Sequence, residues 1–214
     1  MKYTTYLFDF DGTLVDSMPS YVRAMLRILD ERGIKYGNDI IKIITPLGYA
    51  ATARYYREKY GLAMTEEEIV ALMKSYAYDA YANSILAKCG VENALKKLKA
   101  EGASLNILTA SPHEVLDVCL MRLGLYDLFT SVWSCEDFGS TKADPAIYKM
   151  AAQRMGVKPC EFLFLDDNLN ALKTAREAGA CVCGVYDPTS EDSTEQIKAV
   201  AHHYIKDFDE IFSI

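Results

Sequence analysis

Four short stretches hold the residues best able to do chemistry. They are Asp9 and Asp11 within Phe8-Asp9-Phe10-Asp11-Gly12-Thr13, then Thr109-Ala110-Ser111, then Lys142, then Asp166-Asp167. Between them they offer four carboxylates, two hydroxyls and one amine. Two carboxylates at contact distance repel by ~4 kcal/mol at an effective dielectric of about 20. A fold that gathers four of them needs a cation or protons to neutralise the cluster. Oxygen ligands with no His or Cys nearby favour a hard cation, and Mg2+ is the natural choice beside a phosphate. Lys142 adds one further positive charge.

Such residues act together only if the chain delivers them to one place, and the pattern of elements does this. Tyr3 to Phe10 is a nearly continuous apolar run stopped by Asp11-Gly12, which predicts a buried parallel strand. Further strands are predicted over Ala103 to Thr109, Val132 to Cys135, Phe162 to Asp166, Cys181 to Val185 and, at an edge, His203 to Ile205. Helices are expected between them, over Val91 to Glu101, Pro112 to Leu123, Asp144-Pro145 to Gly156 and Leu169 to Ala178, with a last helical turn at the end. Strands alternating with helices in this way make βαβ units and a parallel sheet. Ligands of open parallel sheets bind at the carboxyl ends of the strands. The four reactive stretches all sit at or just beyond such ends.

The segment after the first strand reads differently. Ser17 is placed to cap a helix running to about Arg32, a second helix spans Pro46 to Tyr60, and Thr65-Glu66-Glu67-Glu68 forms a capping box opening a third that reaches about Asn83. The expected fold is therefore α/β, a Rossmann-like parallel sheet core over residues 1–16 and 85–214, with an all-helical cap, residues 17–84, inserted after the first strand. An insertion of roughly 65 to 70 residues is tolerable because loop-closure entropy grows slowly with length.

The totals agree with one core domain plus a smaller insertion. Half of the 214 residues are hydrophobic and 25% are charged, the ordinary balance of a soluble protein. A net charge of −7 argues against a nucleic-acid surface, which wants a basic patch. No apolar run approaches the ~20 residues of a membrane span. Met1-Lys2 leads straight into the first strand, unlike a signal peptide. The six cysteines include no C-x-x-C pair and read as reduced thiols of a cytoplasmic protein, monomeric or weakly dimeric.

With these residues placed, the segment from Asp9 to Ser17 resembles the first motif of the haloacid dehalogenase-like hydrolase superfamily. It looks most like the branch of phosphoglycolate phosphatases and β-phosphoglucomutases. Leu108-Thr109-Ala110-Ser111 is similar to the second motif, Lys142-Ala143-Asp144-Pro145 to the third and Leu165-Asp166-Asp167-Asn168 to the fourth, in order and over essentially the whole chain.

The resemblance implies an Mg2+-dependent phosphatase acting on a small phosphorylated metabolite. Asp9 would attack phosphorus, and Asp11 would serve as acid and then base. Thr109, Lys142 and nearby N–H groups, including those around Gly12, Ala110 and Ser111, would hold the phosphoryl oxygens. Asp9, the backbone carbonyl of Asp11 and Asp167 would hold the metal, with Asp166 in support. Gly48 and Tyr49, in the loop Thr45-Pro46-Leu47-Gly48-Tyr49, and Arg54 are the expected substrate-reading residues of the cap.

One departure is that Ala171, beside Asn170, stands where many members carry a further acid. Dehalogenase chemistry is disfavoured by the presence of Asp11. The alternative of a phosphomutase of the β-phosphoglucomutase type is weakened by Tyr21, at the position of a mutase His twelve residues past the nucleophile. A non-catalytic phospho-binding module would be expected to have lost one of these residues. The plainer readings are that Asp166-Asp167 caps a helix, that His113 is a solvated first-turn side chain, that His202-His203 is a surface pair without partners, and that the tyrosines of the insertion are helix packing.

Overall fold

The computed structural model describes residues 2–45 and 47–214. Pro46, the expected start of the second helix, lies outside them. By internal contacts the chain divides into two compact units, Met1–Asp16 with Leu86–Ile214, and Ser17–Ile85.

The first unit is built on a sheet. Its strands among the described residues are β1 (Thr5–Phe8), β2 (Ser104–Thr109), β3 (Ser131–Ser134), β4 (Leu163–Asp166), β5 (Cys181–Val185) and β6 (His203–Ile205). They lie in the order β3-β2-β1-β4-β5-β6 and every neighbouring pair is parallel, so the α/β sheet expected from the alternating pattern is present. The helices of this unit are α5 (Val91–Ala100), α6 (His113–Arg122), α7 (Pro145–Met155), α8 (Leu169–Glu177) and α9 (Thr194–Val200), numbered after the four of the other unit. Ile147 and Tyr148 of α7, Leu172 and Ala175 of α8 and Ile197 of α9 share one core cluster with Leu7, Leu108, Phe164 and Val182 of the sheet.

β1 is shorter than the apolar run suggested. Leu14 and Val15 both donate to the Phe10 carbonyl, so the chain has already turned out of the ladder there. Phe10 is nonetheless fully buried, which is why the run reads as one strand in sequence. Phe8 is in register with Ile107 of β2 and Leu165 of β4, and the Asp9 N–H still donates to the Leu165 carbonyl at 2.8 Å. The carboxyl ends of the three central strands therefore reach one edge together, carrying Asp9, Thr109 and Asp166.

The second unit contains α1 (Met18–Asp30), α2 (Ile40–Ile44), α3 (Gly48–Tyr60) and α4 (Glu66–Asn83). Its own core joins Met25, Ile28, Leu29, Ile44, Tyr56, Ile69 and Met73. Several of the tyrosines pack as expected, with the Tyr55, Tyr56 and Tyr60 rings in mutual contact, whereas Tyr78 is exposed. Neither α2 nor α9 is foreseen from sequence. The α2 segment Ile-Ile-Lys-Ile-Ile is too short and too uniformly apolar to show a helical period.

Two helix starts behave differently. Thr65 caps α4 as expected, its hydroxyl accepting from the Glu68 N–H at 3.2 Å while Glu68 accepts from the Thr65 N–H at 2.8 Å. Thr65→Ala should lower the unfolding free energy of the helical unit by about 1 kcal/mol, read by chemical denaturation, because one orphan N–H loses its acceptor. Ser17, by contrast, does not cap α1. Its backbone is already helical, and its buried hydroxyl has no partner.

The cysteines are all free thiols. Among the described residues no helix is long and apolar enough to cross a membrane.

Candidate active site

Lys142 is the centre of the charge arrangement at the sheet edge. Its ammonium donates to Asp9 Oδ1 and, at 2.8 Å, to Asp166 Oδ2. The loop bearing it is fixed from below by Tyr148, whose hydroxyl points at the carbonyls of Lys142 (3.1 Å) and Ala171 (3.2 Å). The Ala171 side chain lies in the same core as Tyr148, which explains why no acid stands at that position.

Asp166 and Asp167 share the turn after β4 but have different partners. Asp166 is fully buried and accepts from the Asn168 N–H (2.7 Å) as well as from Lys142. Asp167 accepts from the Thr13 hydroxyl (3.1 Å) and the Ser190 hydroxyl (3.3 Å). Neither caps α8: Asn168 does, accepting from the N–H groups of Asn170 and Ala171. The two carboxylates are thus left free of helix duty, against the plainer reading of them.

Gly12 sits against Asp167. Its φ is +75°, and a Cβ there would meet both Asp167 carboxylate oxygens at 2.8 Å. Glycine is required here by close approach as well as by the turn.

One oxygen each from Asp9, Asp166 and Asp167 fall within 4.8 Å of one another. Burial pushes the Asp9 carboxyl well above the ordinary carboxylate range; Lys142 opposes this, while Asp166 and Asp167 add to it. The Asp167 carboxyl is pushed up to about 7, first by burial and then by the charges of Asp166 and Asp187, against the pull of Lys142 and Thr13. Burial alone would depress the Lys142 ammonium, but Asp166 and Asp9 outweigh it and hold it above its usual value. Three carboxyls against one ammonium make a buried site that needs protons or a further cation to balance it, and its donors are oxygens alone. That donor set fits a hard dication such as Mg2+.

Asp11 lies to one side of this group. Its carboxylate accepts from the Ser111 hydroxyl. The Ser111 N–H donates to Thr109 Oγ1 at 3.1 Å, so the second reactive stretch is a self-bonded turn. Thr109 is buried and Ala110 is exposed at its tip. The expected substrate-reading residues belong to the helical unit. Gly48 is the first residue of α3, the Tyr49 ring lies 5.1 Å from the Tyr21 ring, and exposed Arg54 is 3.5 Å from Glu66.

The histidines differ from their plain reading. His113 is bracketed by carboxylates, Asp117 at 3.1 Å on Nδ1 and Asp137 at 2.8 Å on Nε2; their hydrogen bonds, that to Asp137 foremost, raise its pKa. His202 accepts from the Val182 N–H, and His203 lies 3.3 Å from the Tyr3 hydroxyl. Each has neighbours far off in sequence, which no local pattern could reveal. The same holds for Ser190 and Tyr148, which hold Asp167 and Lys142.

Known proteins resemble this chain over most of its length. A phosphoglycolate phosphatase of Psychrobacter arcticus is 27% identical over 188 residues, covering 84% of this chain and 81% of that protein. Hexitol phosphatase B of Escherichia coli K12 is 26% identical over 181 residues, covering 80% and 78%. The crystal structure of a HAD family hydrolase of Deinococcus radiodurans, solved with bound phosphate and sodium, superposes with a TM-score of 0.79 at 21% identity, covering 98% of this chain and 93% of that one. The family model of the haloacid dehalogenase-like hydrolases matches residues 3–179, a span that takes in Asp9, Asp11, Thr109, Lys142, Asp166 and Asp167, and the chain belongs to that family.

Proposed function

We propose that this protein is a phosphatase that removes phosphate from a small phosphorylated metabolite through an aspartyl-phosphate on Asp9. The observation that carries the reading is the buried grouping of Asp9, Asp166 and Asp167 at the ends of β1 and β4, with Lys142 bound to the first two.

In the first step a carboxylate oxygen of Asp9 forms a bond to phosphorus. The bond from phosphorus to the ester oxygen breaks, and the departing alkoxide takes a proton from Asp11. In the second, Asp11 takes a proton from water, whose oxygen attacks the aspartyl-phosphate. Inorganic phosphate leaves and Asp9 is restored, so one hard displacement becomes two easier ones. The Ser111 hydroxyl fixes the direction of the Asp11 carboxylate that moves these protons. Lys142 neutralises charge on Asp9 and on the incoming phosphoryl oxygens, the largest kind of contribution in phosphoryl transfer.

Asp9, Asp166 and Asp167, with the Asp11 carbonyl, would hold Mg2+. That ion, when bound, supplies the positive charge the carboxylates lack and lets phosphate enter beside them. Choice of substrate is assigned to the helical unit, with Gly48, Tyr49 and Arg54 as its reading residues.

The test is a phosphate-release screen over phosphorylated metabolites, including phosphoglycolate, hexitol phosphates, sugar phosphates and nucleoside monophosphates. Release from at least one small ester in Mg2+ buffer is expected. It should be abolished by chelation and recovered when Mg2+ is restored in excess. Turnover indifferent to the chelator, or no turnover of any ester, would overturn the reading.

A further inference from the structure

Lys88 belongs to none of the four motifs, yet it is bound against the loop that carries the first of them. The segment returning from the helical unit runs antiparallel to the end of the Asp9 loop. Asp16 N–H donates to the Leu86 carbonyl at 3.0 Å, and Lys88 N–H donates to the Leu14 carbonyl at 2.9 Å. From that anchored backbone the Lys88 side chain, only 16% exposed, reaches inward. Its ammonium donates to the Gly12 carbonyl at 2.7 Å, to the Tyr186 carbonyl at 2.5 Å and to Asp187 Oδ2 at 3.2 Å. An ammonium has three protons, and here each has an acceptor.

The acceptors are also ordered. Asp187 is 1% exposed, and its other oxygen accepts from the N–H and the hydroxyl of Thr189. The same short segment supplies Ser190, whose hydroxyl holds Asp167. Gly12 in turn faces the Asp167 carboxylate so closely that a Cβ there would meet its oxygens at 2.8 Å. The contacts close a ring from Gly12 through Lys88, Asp187 and Ser190 to Asp167 and back to Gly12.

We infer that Lys88, paired with Asp187, is a positioning residue for the Asp9 site, holding the Gly12 carbonyl so that the turn and the Asp167 carboxylate keep their mutual geometry. This rests on the phosphatase reading of that site. Lys88 touches neither the reacting atoms nor the carboxylate group itself. It acts through Gly12 and through the segment that holds Asp167. Partners of this outer kind, when removed, cost on the order of 10- to 100-fold in metal affinity or activity.

The experiment compares the full-length protein with Lys88→Met, Lys88→Gln and Lys88→Met/Asp187→Asn. Thermal unfolding, Mg2+ affinity by calorimetry and steady-state turnover of p-nitrophenyl phosphate are measured on each. Lys88→Met alone leaves the buried Asp187 carboxylate without its counter-charge and should melt lower. The double variant removes both charges and should recover most of that loss.

In the double variant kcat should still fall on the order of 10- to 100-fold with KM nearly unchanged, and Mg2+ affinity should weaken by a similar factor. Lys88→Gln, which keeps an N–H donor for the Gly12 carbonyl, should retain more kcat than Lys88→Met. A double variant with recovered stability and wild-type kcat and Mg2+ affinity would overturn the inference, leaving Lys88 as a mere counter-charge. Equal losses in Lys88→Gln and Lys88→Met would also overturn it. If the wild type turns over no phosphate ester but the double variant still binds Mg2+ more weakly, the phosphatase reading fails while the positioning role stands.

Discussion

Asp9→Asn should end phosphate release while making the metal-free protein harder to unfold. The side chain keeps its shape but loses the charge that makes it a nucleophile, and an amide oxygen does not displace an alcohol from phosphorus. Loss of a covalent nucleophile typically lowers kcat by about 10⁴-fold or more. The stability effect has the opposite sign for a separate reason. The Asp9 carboxyl is held well above its ordinary pKa, chiefly by burial. A group raised in this way favours the folded state at low pH, and that contribution is lost as pH rises through the folded value. At neutral pH and without metal, folding must therefore either hold Asp9 ionised against that resistance or take up a proton, a cost the amide does not bear. Melting curves in chelator, run from acid to neutral pH, should show the variant gaining on the wild type as pH rises. Turnover near the wild-type level would remove Asp9 from the role of nucleophile. A variant that melts lower at neutral pH would remove the account of buried repulsion.

Lys142→Met is expected to lose both properties together. Met has a similar length and fits a site that leaves Lys142 only 14% exposed, so packing is largely kept. The carboxylates of Asp9 and Asp166 lose their shared donor. Removing one member of a buried ion pair typically costs about 3–5 kcal/mol, because the remaining charge is stranded. Loss of a charge-stabilising donor typically lowers kcat by about 10²- to 10³-fold. Mg2+ should restore a larger share of stability to this variant than to the wild type, since it then meets more uncompensated charge. It should not restore turnover. The measurement is thermal unfolding with and without Mg2+, set beside kcat on the best ester from the screen. Unchanged melting in chelator would show that Lys142 does not balance these carboxylates.

The parallel sheet was legible because buried strands such as Leu163–Asp166 are continuous apolar runs that end on charged residues. Three of the four reactive stretches could be read for the same reason, being strand tips with unusual chemistry, while Lys142 lies well past the end of β3. What escaped the sequence is what depends on distant partners. Asn168, and not its acidic neighbours, caps α8. Ser17 has the right residue type for a cap, but its backbone is already helical there, so the hydroxyl is misplaced. Ser190 and Lys88 meet the site only after the chain has folded back from opposite sides of the fourth motif. His113 looks like an ordinary first-turn residue until Asp137 arrives from beyond β3.

The hydrogen bonds between Asp16 and Leu86, and between Lys88 and Leu14, have a meaning for descent as well as for stability. They join the two places where the helical unit leaves and re-enters the sheet unit. The two ends of the insertion are already tied together within the sheet unit. One helical unit can thus be exchanged for another of different length without reopening the floor on which Asp9 stands. On the proposed reading, variation in the alcohol accepted is thereby separated from variation in the chemistry performed on it.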